Sequence, residues 1–262
     1  MNLVMIVRRF SRQWAVFSGQ SSVNYCRLLT EIKKHPVNSD FQTTLWLTAQ
    51  LATITTIVLI VIGLPFAYGL SRWKSPFKII VESLVALPLV LPPTVLGFYL
   101  LLAFSPQSIL GKWLEAQFDL RLVFSFTGLV LGSVVYSFPF MIRPIQIGFE
   151  RLPTHLWEAS FMLGKSHWTT FWKVLMPNIR PALLNAIVLS FAHTVGEFGV
   201  ILMLGGNIPG KTRVASIAIY DKVEGLEYDA AGQYAFILLI FSFSMLLFFS
   251  WWSRKFTKNG LL

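Results

Sequence analysis

The chain has 262 residues, of which 55% are hydrophobic and only 13% charged, about half the charged share of a soluble domain. With 15% aromatic residues and a mean hydropathy of +0.62, it excludes a soluble globule, which would expose large apolar patches, and also disordered, collagen-like and coiled-coil chains. What remains is an all-α polytopic membrane protein, whose net charge of +10 reads first as basic cytoplasmic loops and not as a nucleic-acid surface.

Taken in chain order, residues 1–42 form an N-terminal extension. Arg8, Arg9 and Arg12 follow the apolar stretch Leu3–Val7 instead of preceding it, which is the reverse of a signal peptide. The longest uncharged run, Gln13–Cys26, is short and holds Gln, Ser and Asn. A poorly ordered or interfacial amphipathic extension is the reading here, with a sixth, N-terminal span left open. The single Cys26 offers no disulfide framework, and the scattered His35, His155, His167 and His193 offer no metal site.

Five core spans follow in 43–253, each a charge-poor interval long enough to cross the hydrocarbon layer. They are Thr43–Leu70, Ser83–Phe104, Leu122–Met141, Ala182–Leu204 and Gln233–Trp252. Trp46, Trp73, Trp113, Tyr234, Trp251 and Trp252 stand where an interfacial belt is expected. Basic links alternate with poorer ones. The basic set holds Arg72, Lys74 and Lys78, then Arg143 to Arg180, then Arg254, Lys255 and Lys258 in the tail 254–262. The positive-inside rule puts these segments, and the C-terminus, in the cytoplasm. Five spans then place residue 42 outside. That conflicts with Arg8, Arg9, Arg12, Arg27, Lys33 and Lys34 before it.

The second span contains Pro88, Pro92 and Pro93 followed by Thr94. Three prolines so close cannot lie in an unbroken helix, and backbone groups freed at membrane depth need protein or a wet cavity. Either the break serves packing, or it lines a pathway. The fourth span carries Ser190, His193, Thr194, Gly196, Glu197 and Gly199. A carboxylate at that depth should face protein or water. The i, i+4 spacing lets His193 and Glu197 meet, as a packing pair or as part of a gate, while Gly196 and Gly199 permit close helix approach. The stretch Gly205–Thr212, with Asn207, Pro209 and Gly210, reads as a tight external turn. Its Gly210-Lys211-Thr212 lacks the upstream glycine of a phosphate loop.

The link 150–180 is too long for a connector. Thr154 is placed to cap a helix starting near His155, and Gly164 to end it. Trp168, Phe171, Trp172 and Leu175 form a second short amphipathic pattern, ended at Pro177 and Pro181. Two short helices in the cytoplasm result. They either lie on lipid or dock in a partner's groove, and the small Ala159, Ser160 and Gly164 favour the groove.

Glu158, Ala159, Ser160, Gly164, Val174, Met176 and Pro177 reproduce the spacing of the coupling motif of ABC importer permeases, with Ser160, Val174 and Met176 as conservative departures. Together with Leu87-Pro88-Leu89-Val90-Leu91-Pro92-Pro93, Gly196-Glu197-Phe198-Gly199 and Asn207-Ile208-Pro209-Gly210, the chain resembles the permease subunits of molybdate ABC importers. Where that family often has Arg, this chain has His193. The resemblance implies a type I importer fold in the prokaryotic plasma (inner) membrane, and a homodimer carrying two cytoplasmic ATPase subunits. It also implies an extracytoplasmic oxyanion-binding protein that delivers molybdate, with tungstate, and no nucleic-acid partner. Glu158, Ala159, Ser160, Gly164 and Pro177 then couple to the ATPase. Pro92, Pro93, Thr94, Ser190, His193, Thr194, Gly196, Glu197 and Gly199 line the pathway or gate. This chain holds no cofactor, metal or catalytic group; ATP and Mg belong to the ATPase. A sulfate or thiosulfate permease is the alternative. Against an intramembrane protease, the sequence offers no second intramembrane carboxylate or nucleophile turn; against a secondary transporter, it offers no internal repeat.

Overall fold

A computed structural model of the chain describes residues 39–259. The N-terminal segment before Ser39, with Cys26 and the question of a sixth span, lies outside the described residues. Among the described residues every regular element is helical. By length and apolar composition, three single helices among the described residues can cross a membrane, and the number rises to five if each of two bent pairs is one span.

The first span is α1 (Ser39–Arg72), 34 residues or about 50 Å at the helical rise, so it extends past both ends of the expected Thr43–Leu70. It buries Thr44, Thr48, Thr55 and Thr56. Two of these hydroxyls bond back to their own helix, Thr48 to the Thr44 carbonyl at 2.8 Å and Thr56 to that of Ala52 at 2.7 Å. The second span is not one helix. The chain runs as α2 (Lys78–Val90), is extended at Leu91 and Pro92, and restarts as α3 (Pro93–Phe104) bent by 110°. Pro88 is absorbed within α2, whereas Pro92 caps α3 and Pro93 takes its first turn, where a missing N–H costs little. Next, α4 (Ile109–Phe118) occupies a link read as loop; Ser108 caps it by accepting from Gly111 N–H at 2.8 Å.

The central helix is α5 (Phe126–Glu150), unbroken through Pro139 and Pro144. It runs parallel to α1: Phe66 meets Phe138 at 5.4 Å and Tyr68 meets Phe149 at 5.1 Å. The shared core holds Leu59, Ala67, Met141, Ile142 and Ile145, all fully buried. The long link folds as α6 (His155–Met162), then α7 (His167–Thr170), a π turn at Phe171–Leu175 and α8 (Met176–Asn178). Pro177 lies within α8; the chain bends at Ile179, 72° into α9 (Arg180–Gly196). The fourth span, which begins after this bend, is itself broken further on. α9 stops at Gly196, Glu197 is extended, and α10 (Gly199–Gly205) follows. The stretch after the Gly-Pro turn holds α11 (Ala215–Glu224), again a helix where sequence predicts loop. The last helix, α12 (Tyr228–Asn259), starts before and ends after the expected Gln233–Trp252.

Outward faces of the spans are apolar and exposed, as at Val61, Leu239 and Leu247; a lipid environment satisfies such faces and water does not. Trp46, Trp73, Trp113 and Trp251 are exposed as a belt requires, but Tyr234 is buried.

Candidate coupling element and helix breaks

α6 begins at His155 as its sequence predicts, but Thr154 is helical and its side chain makes no cap. The end is built as expected from Gly164, at φ +67°. Gly164 N–H donates to Phe161 at 2.9 Å and Lys165 N–H to Ser160 at 3.1 Å, the paired bonds of a left-handed helix terminus. Glu158, Ala159 and Gly164 are exposed, whereas Ser160 is buried and shares a 2.7 Å hydrogen bond with Thr170 across to the second half of the link. Pro177 is half-buried. The motif therefore divides into an outward set and an inward brace. Leu163, which helical spacing places on one face with Ala159 and Gly164, is 75% exposed; Met162, at 89%, was missed by sequence reasoning, although two adjacent apolar residues before a terminating glycine were the available signal.

Above this element α2 is clasped to α5. Lys78 Nζ lies 2.7 Å from Glu150 and 3.7 Å from Glu82. Gln146 Nε2 donates to Glu82 at 2.5 Å and to Glu150 at 2.9 Å. Arg143 adds an ion pair to Glu82 at 3.8 Å and a bond to the Glu82 carbonyl at 3.0 Å. None of these five residues stood among the sequence candidates, although Lys78/Glu82 and Gln146/Glu150 are both i, i+4 pairs.

The two helix breaks meet. A Cβ on Gly199 would stand 2.7 Å from Pro93 Cβ, and one on Gly97 3.0 Å from Val200 Cα. Thus α3 and α10 pack nearly backbone to backbone, the geometry small residues permit in membranes. Pro92, Thr94 and Gly196 are exposed at this junction.

Ser190, His193 and Thr194 do not join them. Ser190 and Thr194 are buried against α5. Thr194 Oγ1 donates to the Ser190 carbonyl at 2.9 Å and lies 3.1 Å from Ser137 Oγ, which is itself 2.9 Å from His193 Nδ1. His193 packs on Phe140 at 4.0 Å and Tyr136 at 4.7 Å. The expected His193–Glu197 pair is not formed, because the helix that would carry both on one face ends between them. Glu197 is 3% exposed, beside the Ser133 hydroxyl, and among the described residues neither of its carboxylate oxygens completes a hydrogen bond. Its main-chain carbonyl accepts from Ser216 Oγ at 2.5 Å.

The Gly-Pro turn is cross-braced. Arg213 Nε donates to Asn207 at 2.6 Å, and Asn207 Nδ2 to Asp221 of α11 at 2.6 Å. Buried Thr212 donates to Gly205 at 2.7 Å and accepts from Ile208 N–H at 3.2 Å. Pro209 and Gly210 (φ +72°) form the exposed tip. Among the described residues, no three His, Cys, Asp or Glu side chains gather as a metal site.

A bundle of apolar, partly broken helices bearing an exposed two-part amphipathic link defines a multi-pass membrane transport component. The chain matches the family described as binding-protein-dependent transport system inner membrane component over residues 59–258, and it belongs to that family. It is 46% identical over 215 residues to the molybdenum transport system permease protein ModB of Azotobacter vinelandii, covering 82% of this chain and 94% of that one. Identity to the sulfate transport system permease protein CysT of Escherichia coli is 36% over 190 residues, 72% and 68% of the two chains. In fold it is similar to a bacterial ABC transporter that imports the acidic polysaccharide alginate, with a TM-score of 0.75 at 15% identity over 97% of this chain and 90% of that one. A chain of the MetNI methionine ABC transporter gives a TM-score of 0.62 at 18% identity, covering 90% and 99%.

Proposed function

We propose that the chain is the permease subunit of an ATP-driven importer that carries molybdate, and tungstate with it, into the cytoplasm. The observation that carries this is the 46% identity to a molybdenum permease along 94% of its length, ten percentage points above the identity to the sulfate permease quoted above. Two copies of the chain form the pathway. Two ATPase subunits bind the outward face of α6 through Glu158, Ala159, Met162, Leu163 and Gly164, and an extracytoplasmic binding protein delivers the oxyanion. The chain itself is not an enzyme; ATP and Mg are bound by the ATPase. The C-terminus and α6 lie on the cytoplasmic side, and the Pro209–Gly210 tip on the other.

The oxyanion passes the junction of the two helix breaks, where Pro92, Thr94 and Gly196 are exposed. Ser190, His193 and Thr194, buried or half-buried, hold α9 to α5 behind it. A dianion passing hydroxyls and peptide N–H groups is bound weakly enough to leave, whereas close ion pairing would trap it. The test is uptake of labelled molybdate by cells lacking and regaining the chain, with tungstate or sulfate as competitor. Competition by tungstate alone is expected. Uptake of sulfate that molybdate does not displace would instead establish the sulfate or thiosulfate reading.

A further inference from the structure

The lower end of α1 carries two side chains outside every motif discussed above. Tyr68 meets three rings from three other elements: Phe149 at the end of α5 at 5.1 Å, Trp157 of α6 at 5.9 Å, and Phe171 of the π turn at 5.0 Å. The Tyr68 and Trp157 planes are 25° apart, so these two are stacked. One turn later on α1, Arg72 places its guanidinium carbon 4.2 Å from the centroid of the same Trp157 ring. Trp157 is thus held by a stacked ring and by a cation over its face.

We infer that Tyr68 is a positioning residue that carries displacement of α6 into the α1 span, with Trp157 as its contact on α6 and Arg72 as the clamp. The inference rests on the reading of α6 as the ATPase-contact element. A push on the exposed Met162–Leu163 tip has two routes inward. One runs along α6 to Trp157. The other crosses the Ser160–Thr170 hydrogen bond to the second half of the link, where Phe171 follows Thr170. Both routes end on the Tyr68 ring. From there α1 is continuous to Ser39 and packed along α5. Close-packed rings yield little before they move as a unit, so the contact transmits motion where a flexible link would absorb it. Tyr68 also rests on Phe149, one residue from the Glu150 that holds α2 through Lys78. A single displacement therefore reaches α1, α5 and the broken α2–α3 span.

The experiment uses the assembled importer, permease with its ATPase and binding protein, in liposomes, and reads molybdate taken up per ATP hydrolysed. In Tyr68→Leu and Trp157→Leu the ATPase still co-purifies, but uptake per ATP falls by about fivefold or more, the scale of a typical coupling energy between sites. Tyr68→Phe and Trp157→Phe keep the ring and restore the ratio. An unchanged ratio in Trp157→Leu, a half-buried side chain at the rim of the span core, overturns the inference even if Tyr68→Leu does not fold. Cross-linking from Met162→Cys to the ATPase separates the two ideas. A cross-link with an unchanged ratio overturns the role of Tyr68 alone. Failure of the ATPase to cross-link in the working transporter overturns the α6 reading and the inference with it.

Discussion

Pro93 and Gly199, one at each of the two helix breaks, approach so closely that a single added carbon on the glycine would stand 2.7 Å from the proline Cβ. The proline ring cannot swing aside as a flexible side chain would, so the breaks are locked to each other by the absence of a side chain at 199. Gly199→Ala should force α3 and α10 apart. Overpacking of this kind costs about 1–3 kcal/mol. The thermal midpoint of the purified protein in detergent should fall, and uptake with it. A midpoint equal to that of the parent would show that the junction is loose.

Glu197 is expected to behave as a buried, unsatisfied carboxylate, because among the described residues both of its oxygens lack a hydrogen bond. A polar group in that state costs about 1–3 kcal/mol or more. Glu197→Gln keeps the shape and removes the acid, and should raise the thermal midpoint. Glu197→Lys should lower it, by placing a longer charged chain against Ser133. A drop in the glutamine variant would mean that a partner for the carboxylate is present in the protein as purified.

The α2–α5 clasp should be worth little per ion pair. Lys78 and Glu150 are 23% and 35% exposed in their side chains, and a partly solvated pair contributes about 0.2–1 kcal/mol. A double-mutant cycle with Lys78→Met and Glu150→Gln should therefore give a coupling below about 1 kcal/mol that shrinks in high salt. Glu82→Gln should cost more than Glu150→Gln, since Glu82 pairs with both Lys78 and Arg143 whereas Glu150 pairs with Lys78. A larger, salt-insensitive coupling would place the clasp away from solvent in the assembled protein.

How far these features were readable depends on whether their partners are local. The end of α6 at Gly164 follows from residues within one turn and was legible; its start at His155 was placed correctly, although the Thr154 cap expected there is not made. The prolines at 92 and 93 announced a break, but its 110° angle depends on α10 packing against α3, more than 100 residues later. His193 and Glu197 looked like one helix face because the periodicity was extended through Gly196, where the helix in fact stops. Ser160 looked like a contact residue because a small side chain suits a groove and an internal hydrogen bond equally well; Thr170 decides between them. α11 was lost because Asp221, Lys222 and Glu224 in its second half resemble a polar loop, whereas Ala215, Ile217 and Ala218 in its first half are buried. The clasp was invisible for a similar reason: each i, i+4 pair could be seen, but not that Lys78 and Glu150 meet across 72 residues.

The division of the α6 motif into an outward set and an inward brace gives the last prediction. Ser160→Ala deletes the 2.7 Å bond to Thr170 and leaves that hydroxyl in a buried site, at a cost of about 1–3 kcal/mol; the protein should become less stable while its surface for the ATPase is unchanged. Met162→Asp does the reverse. At 89% exposure the side chain supports nothing within the chain, so folding should be unaffected, but a charge placed on the apolar tip should prevent seating in an apolar cleft. Glu158→Lys, on the same outward surface, should act in the same direction. Thermal midpoints in detergent and co-purification with the ATPase, measured side by side, read the two effects independently. Loss of ATPase binding in Ser160→Ala at full stability, or retention of it in Met162→Asp, would contradict the division of the motif.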